Sequence, residues 1–470
     1  MTLDLQVCSR ARLSRDPRFD GKFFIGVRST RIYCRPICPV PTVKEKNVLY
    51  FQTAAAATES GFRPCLRCRP ECSPGTPAWC GTSNTVSRAL RLIGESGLEE
   101  GGMEGLAERL GVSSRHLRRL FIRHLGAPPS TIAKTRRLHF AKRLIDETRL
   151  SMTEVAFAAG FGCVRRFNDA IGKTYKRTPT QIRRLQKTIQ QEDHYLFHLR
   201  FRPPYHWNGI LAFLAVHATP GVEVVDQKGY RRTISLSGRR GYFDASLDPK
   251  QNAIRVRLKI ADPRLLYVII ERIRGIFDLN ADWETIAQSL GTDPELGSRI
   301  TVDPGLRVPG CWDGFELTVR TILDGGTGGK RATALAGKIA KAFGEQISDA
   351  DGLTYLFPEP PALIDAKCES FGVAQKRAKA IRALARAVSD GDISFERIAD
   401  SARFLTQLRE ITDIDRLTAE VVAMRALREP DAFPIGNPRL VRSLGLKTLG
   451  DLQMRAESWR PWRSYASMYL

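Results

Sequence analysis

The chain has 470 residues, with 73 Lys plus Arg against 50 Asp plus Glu and a formal net charge of +23, which favours a polyanionic partner such as nucleic acid. Ten cysteines are too few for a disulfide scaffold, and no apolar run approaches the roughly 18 residues of a membrane-spanning helix. The N-terminus lacks a basic start followed by an apolar core, so we expect a cytoplasmic protein of three or four domains.

Four cysteines near the N-terminus form two closely spaced pairs. Cys34 and Cys38 lie in C-R-P-I-C, and Cys65 and Cys68 lie in C-L-R-C after a gap of 26 residues. Each pair can chelate one edge of a tetrahedral ion, so the spacing predicts one Zn²⁺ per chain. Four thiolates around one divalent cation leave two negative charges, which keep the sulfurs nucleophilic. A closed, inert structural site is the common alternative, and Cys72 is a competing ligand.

The residues around the cysteines carry a family resemblance. The chain reads D-G-K-F-F-I-G-V-R-S-T-R-I-Y-C-R-P-I-C at 20–38, K-N-V at 46–48 and G-F-R-P-C-L-R-C-R-P at 61–70. Over about the first 80 residues this resembles the N-terminal domain of Ada, a bacterial sensor of DNA methylation damage. The resemblance implies that Cys34 takes a methyl group from a methylated DNA phosphate. A methyl phosphotriester is neutral, so a thiolate can approach it without charge repulsion.

Basic residues of this first region are candidates for contact with DNA. Cations hold the phosphate backbone and fix the register of a protein on the duplex. We expect this role for Arg35, Lys44, Lys46, Arg63 and Arg67.

Two helix-turn-helix patterns follow between Val86 and about Arg184. In 106–121 a short apolar helix leads to Gly111, a serine cap and a second helix with Leu117 and Phe121 on one face. A second copy spans 152–172 and is followed by Thr178-Pro179. This pair resembles the AraC-type transcriptional regulators, whose two units read adjacent segments of the major groove.

The polar faces of the two recognition helices predict the base and phosphate contacts. The expected contact residues are Ser114, Arg115, Arg118 and Arg119 on the first helix and Arg165, Arg166 and Asn168 on the second. The two helix-turn-helix units together form what we call the reader. The combination of a methyl sensor and this reader implies a damage-activated transcription factor with RNA polymerase as a partner. Ada proteins also carry a P-C-H-R methyl-acceptor motif, which this chain lacks.

The remaining part begins near Leu196 after a polar linker at 183–194. Alternating segments at 230–236, 241–247 and 254–260 predict strands, and helices dominate from Ala281. R-V-P-G-C-W-D-G-F-E-L at 307–317, A-L-A-G-K-I-A-K-A-F-G at 334–344, F-G-V-A-Q-K-R-A-K-A-I at 371–381 and D-A-F-P at 431–434 resemble the AlkA-type DNA glycosylases, which excise alkylated bases.

The predicted fold class is therefore multidomain α+β. We expect a four-cysteine zinc domain at 1–80, an all-α double helix-turn-helix domain at 84–190, a small α+β domain at 196–280 and an all-α helix-hairpin-helix glycosylase-like domain at 281–470. The last two follow from the AlkA resemblance.

The glycosylase-like region departs from the family pattern at four places. Asn437 stands where the family has a catalytic Asp, and an amide cannot supply the charge that an oxocarbenium-like transition state needs. Asp413 and Asp415 replace both glycines of the phosphate-binding hairpin, so we expect phosphate repulsion and loss of the glycine backbone conformations. Leu417 replaces the family's pocket Trp, and D-G-G-T-G at 324–328 replaces the wedge loop. These changes predict a weakened or inactive glycosylase, with Asp431 capping the next segment.

Three hypotheses remain open at this point. The first is a transcription activator that senses methyl phosphotriesters through Cys34 and zinc, coupled to an inherited glycosylase fold. The second is an active 3-methyladenine DNA glycosylase with regulatory N-terminal domains. The third is a DNA-binding regulator whose zinc is purely structural.

Overall fold

The computed structural model describes residues 3–75, 84–96, 102–185, 193–325, 329–350, 352–395, 398 and 401–470. Within these ranges the helices are α1 (Leu5–Ser14), α2 (Ala54–Glu59), α3 (Asn84–Ser96), α4 (Gly102–Arg109), α5 (Ser114–Leu125), α6 (Pro129–Glu147), α7 (Met152–Ala158), α8 (Val164–Tyr175), α9 (Pro179–Arg184), α10 (Trp207–His217), α11 (Leu266–Ile276), α12 (Trp283–Leu290), α13 (Pro294–Val302), α14 (Gly314–Asp324), α15 (Lys330–Phe343), α16 (Pro360–Leu363), α17 (Gln375–Ser389), α18 (Ser401–Thr412), α19 (Arg416–Arg425), α20 (Pro438–Ser443), α21 (Leu449–Ala456) and α22 (Arg463–Met468).

The strands in the same ranges are β1 (Phe24–Val27), β2 (Ile32–Cys34), β3 (Val48–Phe51), β4 (Arg63–Pro64), β5 (Tyr195–Arg200), β6 (Glu223–Asp226), β7 (Gly229–Leu236), β8 (Arg239–Asp248), β9 (Ala253–Ile260), β10 (Gln346–Ala350) and β11 (Leu353–Tyr355). The mixed α+β class is therefore confirmed. None of the described helices combines the length and apolar character needed to cross a bilayer.

The chain divides into two compact units. The first comprises Met1–Pro203, Asp248–Arg274 and Leu279–Asp282, and the second comprises Pro204–Leu247, Gly275–Asp278 and Trp283–Leu470. The predicted division into four domains is finer than this grouping and stays a prediction.

The first unit begins with a small four-stranded sheet of order β3-β1-β2-β4. β1 pairs antiparallel with β2 and β3, whereas β2 pairs parallel with β4. Phe24, Tyr33 and Phe62 pack on one side with Ala57 of α2, and a second small cluster forms around Phe23 and Ile25. The sheet brings the ends of β2 and β4 together, and these ends carry the cysteines.

The two predicted helix-turn-helix segments are present in the first unit as α4–α5 and α7–α8. Ser113 caps α5 by accepting a hydrogen bond from the backbone N–H of His116 (3.2 Å), and Gly111 adopts a φ of 65° in the turn. Leu117 and Phe121 are fully buried, as the apolar spacing predicts. Their cluster also contains Ala55 and Ala56 of α2. The first helix-turn-helix, α4–α5, therefore shares a core with the region formed by the β1–β4 sheet and α2, which we call the cysteine module.

The second copy has equally defined ends. Ser151 and Glu154 form a capping box at the start of α7, and Thr178 and Gln181 form another at the start of α9. Phe167 lies on the buried face of α8. The first unit also contains the antiparallel strand pair β5–β9, in which Phe197 lies opposite Val256.

The second unit combines an antiparallel meander with a helical core. β6, β7 and β8 pair in sequence order. Buried residues of α14, α15, α17 and α19 form one cluster, which includes Val319, Ile339, Ile381 and Val422. The α18–α19 pair within this core is the hairpin in which the sequence places Asp413 and Asp415 at the family's glycine positions.

Candidate metal centre and nucleic-acid interface

The four predicted ligands converge in the first unit. The Sγ atoms of Cys34, Cys38, Cys65 and Cys68 all lie within 4.8 Å of one another, and all four residues are buried. Zinc–sulfur bonds of about 2.3 Å in a tetrahedron place sulfurs about 3.8 Å apart, so a small contraction around an ion satisfies this geometry. Four thiol donors without a nitrogen or oxygen ligand match the chemistry of zinc. The chain binds zinc here.

The backbone explains why these sulfurs meet. Cys34 ends β2, and the parallel neighbour β4 ends at Pro64, directly before Cys65. The N–H of Cys65 donates to the carbonyl of Tyr33 (3.0 Å), which fixes the two cysteine pairs side by side. Arg69, with a φ of 52°, then turns the chain away from the site.

Arg35 is buried beside the cluster, which corrects the expectation that it holds DNA. Its side chain is 3% exposed and pairs with the buried carboxylate of Asp20. Its Nη1 donates to the carbonyl of Cys68 (3.0 Å), and its backbone N–H donates to the Sγ of Cys68 (3.4 Å). The guanidinium lies between two anionic groups, the thiolate cluster and the carboxylate of Asp20. Both groups stabilise its positive charge in the interior. Arg35 therefore supports the metal site from within.

Cys72 is not part of the cluster. Its Sγ lies 3.8 Å from Oε1 of Glu147, and burial raises the pKa of its thiol to about 12. The group of sulfurs that lie within 4.8 Å of one another does not include Cys72, so the competing-ligand alternative fails at this position.

The segment beyond Cys68 is bound to helix α6 by a buried charge network that the sequence did not reveal. Lys142 Nζ lies 3.3 Å from Glu71 and 2.5 Å from Asp146, and its side chain is 1% exposed. Arg69 pairs with Asp146 (3.0 Å) and Glu147 (2.9 Å). The loop that carries two zinc ligands is thus tied to the helix that joins the two reader motifs.

The electrostatics of this network follow from its burial. Burial raises the pKa of Asp146, although Lys142 and Arg69 oppose the rise. Burial also acts to raise the pKa of Glu71, but Lys142 and Arg69 hold it below its usual value. The two carboxylates therefore depend on their cation partners in order to stay ionised inside the protein.

A second link joins β2 to the same helix. The hydroxyl of Tyr33 lies 2.9 Å from Nε2 of His139; Tyr33 is buried and His139 is half-buried. Burial lowers the pKa of His139 to about 4, so its ring is neutral at pH 7. Tyr33 precedes Cys34 directly, so both ligand pairs are connected to α6.

The predicted DNA contacts other than Arg35 are at least partly accessible. Arg115, Arg118 and Arg119 are exposed on α5 and Arg165, Arg166 and Asn168 are exposed on α8, while Ser114 is half-buried. Lys44, Lys46 and Arg67 are exposed and Arg63 is half-buried in the cysteine module. These positions suit contact with DNA, and the individual roles stay predictions.

The hairpin of the second unit keeps its shape but not its expected chemistry. Asp413 adopts a φ of 51°, which corrects the expectation that the glycine conformation is lost, because Asp is among the residues that tolerate this region. Its carboxylate lies 3.3 Å from Lys376. Asp415 caps α19 by accepting a hydrogen bond from the N–H of Thr418 (2.7 Å). A carboxylate of the chain therefore occupies the helix N-terminus that a phosphate would use.

Asn437 also serves as a helix cap. Its Oδ1 accepts a hydrogen bond from the N–H of Arg439 (3.0 Å) at the start of α20. Asp431 does not cap this segment as expected, because its carboxylate pairs with Arg460 and Arg463.

Glu420 is the carboxylate beside this loop that the sequence analysis missed. Its two oxygens accept hydrogen bonds from the N–H of Ile435 (2.8 Å) and from Nε of Arg416 (2.8 Å). The i, i+4 spacing of Arg416 and Glu420 on one helix could have predicted their ion pair. Nothing in the sequence predicted the hydrogen bond from the N–H of Ile435. The predicted wedge segment 324–328 lies largely outside the described residues, since only Asp324 and Gly325 are described.

Comparison with known proteins matches three family models. The "Metal binding domain of Ada" matches residues 7–71, a "Helix-turn-helix domain" matches 106–185 and the "AlkA N-terminal domain" matches 196–313. A Mycobacterium tuberculosis protein described as "Probable bifunctional transcriptional activator/DNA repair enzyme AlkA" is 38% identical over 477 residues, which cover 99% of this chain and 96% of that protein. This chain belongs to that bifunctional AlkA family.

Two further relatives match the C-terminal part. The "DNA-3-methyladenine glycosylase 2" of Escherichia coli is 29% identical over 279 residues, covering 58% of this chain and 96% of its own. A 3-methyladenine DNA glycosylase from Archaeoglobus fulgidus superposes with a TM-score of 0.51 at 20% identity, covering 58% of this chain and 96% of that chain. The glycosylase fold is thereby confirmed. This member of the AlkA family combines a zinc domain, a DNA-binding reader and a glycosylase fold, the parts of a bifunctional alkylation-response regulator.

Replacing Lys142 tests the network between the cysteine module and α6. Lys142→Met leaves the carboxylates of Glu71 and Asp146 buried with one cation fewer. We expect the free energy of unfolding to fall by about 3–5 kcal/mol, which lowers the melting temperature at pH 7. In the variant the folded-state pKa of Asp146 rises further above its unfolded value, so the loss should shrink as the pH falls to 5. Lys134→Met, at an exposed position of the same helix, is the control. Equal melting temperatures for the two variants would contradict the network.

Metal stoichiometry tests the ligand set. We expect one zinc per chain in the wild type and in Cys72→Ser, and loss of the metal in Cys38→Ser, because only the second substitution removes a sulfur from the cluster. Atomic spectrometry on the purified proteins gives the ratio directly. Loss of zinc from Cys72→Ser would show that the ligand set is wrong.

Proposed function

We propose that this protein detects methyl phosphotriesters in DNA by accepting their methyl group on Cys34 and then regulates transcription through its two helix-turn-helix units. The observation that carries the proposal is the buried cluster of four sulfurs in a module that shares its core with the reader helices. Ion pairs of Glu71 and Arg69 also connect the segment after Cys68 to α6.

The reaction is a direct displacement at the methyl carbon. The thiolate Sγ of Cys34 forms a bond to the methyl carbon, while the bond from that carbon to the phosphate oxygen breaks and its electron pair stays on the oxygen. The products are an S-methyl thioether and an ordinary, negatively charged phosphodiester. When bound, zinc keeps all four sulfurs deprotonated, so no general base is needed. Because a thioether is a stable product, each protein molecule reacts once.

Hydrogen bonding distinguishes the sulfur of Cys34 from that of Cys68. The backbone N–H of Arg35 donates to the Sγ of Cys68 (3.4 Å). Among the described residues no backbone N–H donates to the Sγ of Cys34. An N–H donor withdraws electron density from a thiolate and lowers its nucleophilicity. Cys34 is therefore more electron-rich than Cys68, as the proposed methyl acceptor requires.

Methyl transfer changes the charge that DNA meets. The cluster loses one negative charge, which at about 10 Å and an effective dielectric of about 20 removes about 1.7 kcal/mol of repulsion per phosphate. Screening at about 0.1 M salt reduces each contribution to about a third. Three phosphates then amount to about 1.8 kcal/mol, or roughly twentyfold in affinity. The charge change alone thus suffices for a regulatory switch.

The output of this switch is transcriptional. The exposed cations of α5 and α8 lie on surfaces opposite to buried apolar residues, as a major-groove reader requires. We assign activation to the methylated state, with RNA polymerase as the partner recruited at the promoter.

In the second unit we propose a glycosylase fold that no longer excises bases efficiently. Asn437 offers no charge, Glu420 is held by Arg416 and by Ile435 N–H, and Asp431 is held by two arginines. Asp415 fills the helix N-terminus of the hairpin. None of these four side chains therefore offers a free carboxylate that could stabilise a cationic sugar.

Methylation can be followed on the sensor directly. After incubation with DNA that carries methyl phosphotriesters, we expect one methyl group on the peptide that contains Cys34, and a roughly twentyfold tighter binding of promoter DNA at 0.1 M salt. The gain should decrease as salt rises, because it is electrostatic. Mass spectrometry and fluorescence anisotropy measure the two results.

The controls separate this reaction from structural zinc binding. Cys34→Ala should remain unmethylated and show no affinity gain, whereas Cys72→Ala, which changes a thiol outside the cluster, should behave as the wild type. A wild-type protein that holds zinc but stays unmethylated beside damaged DNA would exclude the sensor function.

Base excision is tested with duplex DNA that contains 3-methyladenine. We expect negligible base release by the wild type and little recovery in Asn437→Asp, because Asp413, Asp415 and Leu417 still impair the hairpin and pocket. Adding Asp413→Gly and Asp415→Gly to Asn437→Asp should raise the rate further. Wild-type release comparable with that of the Escherichia coli glycosylase would overturn the proposed loss.

A further inference from the structure

Arg202 lies buried between three segments of the first unit. The residue is 1% exposed, and its Nε donates to the carbonyl of Asp20 (3.0 Å). Its Nη1 donates to the carbonyl of Asn280 (2.9 Å), and its Nη2 donates to the carbonyl of Gly75. A guanidinium presents its N–H donors in a rigid planar fork. One side chain can therefore hold these three segments in fixed relative positions.

The packing around Arg202 is tight where it meets the loop before β1. Gly21 follows Asp20 with a φ of 77°. A Cβ at Gly21 would collide with the carbonyl oxygen of Pro74 and would lie 3.3 Å from Nη2 of Arg202. Glycine permits both this backbone conformation and the close approach, because it has no Cβ. The sequence of the loop therefore leaves room for the guanidinium.

A buried ion pair holds the same loop. Nζ of Lys22 lies 2.6 Å from the carboxylate of Asp282, and the two side chains are 15% and 6% exposed. Lys22 lies within 7–71, the range that matches the metal-binding domain of Ada, whereas Asp282 and Arg202 lie within 196–313, the range that matches the AlkA N-terminal domain. The loop before β1 is therefore held by side chains of the AlkA-type region.

Asp20 connects this contact to the zinc ligands. Its carboxylate pairs with Arg35, and the two side chains are 5% and 3% exposed. Nη1 of Arg35 donates to the carbonyl of Cys68 (3.0 Å), and the backbone N–H of Arg35 donates to the Sγ of Cys68 (3.4 Å). Arg35 also follows Cys34 directly in the chain. The position of Asp20 therefore influences the position of a cation that contacts one metal ligand and adjoins another.

Groups behind the metal ligands affect metal affinity as well as folding. They orient the ligands, and the loss of one such group typically lowers metal affinity by about 10–100-fold. A cation beside the site also reduces the mutual repulsion of four thiolates. The apolar clusters of the cysteine module, around Phe23 and Phe24, are small. Polar contacts such as those of Arg202 therefore have a large share in fixing the loop behind the sulfurs.

We propose that Arg202 is a positioning residue of the zinc site. By holding the carbonyl of Asp20, it keeps the Asp20–Arg35 pair in place against Cys68. A residue outside the cysteine module thus completes the metal centre. The proposal concerns metal binding alone, so it does not depend on whether Cys34 accepts methyl groups from DNA.

The test measures metal binding by the full-length protein. Competition with a chromophoric chelator gives the Zn²⁺ affinity, and the visible absorption of the Co²⁺-loaded protein reports the geometry of the four thiolates. In Arg202→Met we expect the Zn²⁺ affinity to fall by about 10–100-fold and the Co²⁺ bands to shift, because Asp20 and Arg35 are no longer held. Arg202→Lys keeps the charge, but one ammonium group does not span three segments. We expect this variant to lose about tenfold, the lower end of the same range.

Val256→Ala is the matched control. Val256 is fully buried in β9 of the same unit, outside the cysteine module, so its truncation should lower the melting temperature and leave the Zn²⁺ affinity and the Co²⁺ spectrum unchanged. Should Arg202→Met fail to fold, the same comparison is made with Arg202→Lys. Wild-type Zn²⁺ affinity in the Arg202 variants would overturn the proposal. So would an equal loss of affinity in Val256→Ala, which would show that general destabilisation is the cause.

Discussion

The structure of the first unit depends on keeping four thiolate charges in one small, buried place. Zinc offsets half of that charge, and the chain supplies Arg35, which donates hydrogen bonds to the sulfur and to the carbonyl of Cys68. The remaining negative charge faces a partner that is itself negative. A site of this kind binds DNA poorly until a methyl group removes one charge, so the same electrostatic balance that holds the fold together also supplies the proposed switch.

This balance extends beyond the metal site through side chains that carry full charges. Arg35 pairs with Asp20, and the carbonyl of Asp20 accepts a hydrogen bond from the buried Arg202 (3.0 Å). On the other side Glu71 leads to Lys142 and so to α6. Buried ion pairs add little net stability. They do favour one packing of the segment after Cys68 against α6, because any other packing would leave a buried charge unpaired. The cysteine module is therefore held to α6 by specific charge contacts, in addition to the apolar core that it shares with α4 and α5.

The sequence predicted what spacing controls and missed what tertiary burial controls. The cysteine pairs, Gly111 with its neighbouring serine cap, and the buried Leu117 and Phe121 follow from local periodicity, and the structure has them as predicted. Arg35 and Lys142 resemble surface cations in the sequence, and only the folded chain shows the carboxylates that draw them inside. The φ of Asp413 was missed for a similar reason, because the hairpin imposes that conformation on the residue present.

The second unit shows how a fold persists when its site changes. Its core residues, such as Val319 and Val422, lie on helix faces that do not include the altered positions. Asp415 and Asn437 each cap a helix, and a side-chain cap contributes about 0.5–2 kcal/mol. Asp415 and Asn437 therefore stabilise the helices that they cap. The packed core that includes α14, α15, α17 and α19 does not involve these polar positions, so it holds the glycosylase architecture independently of them.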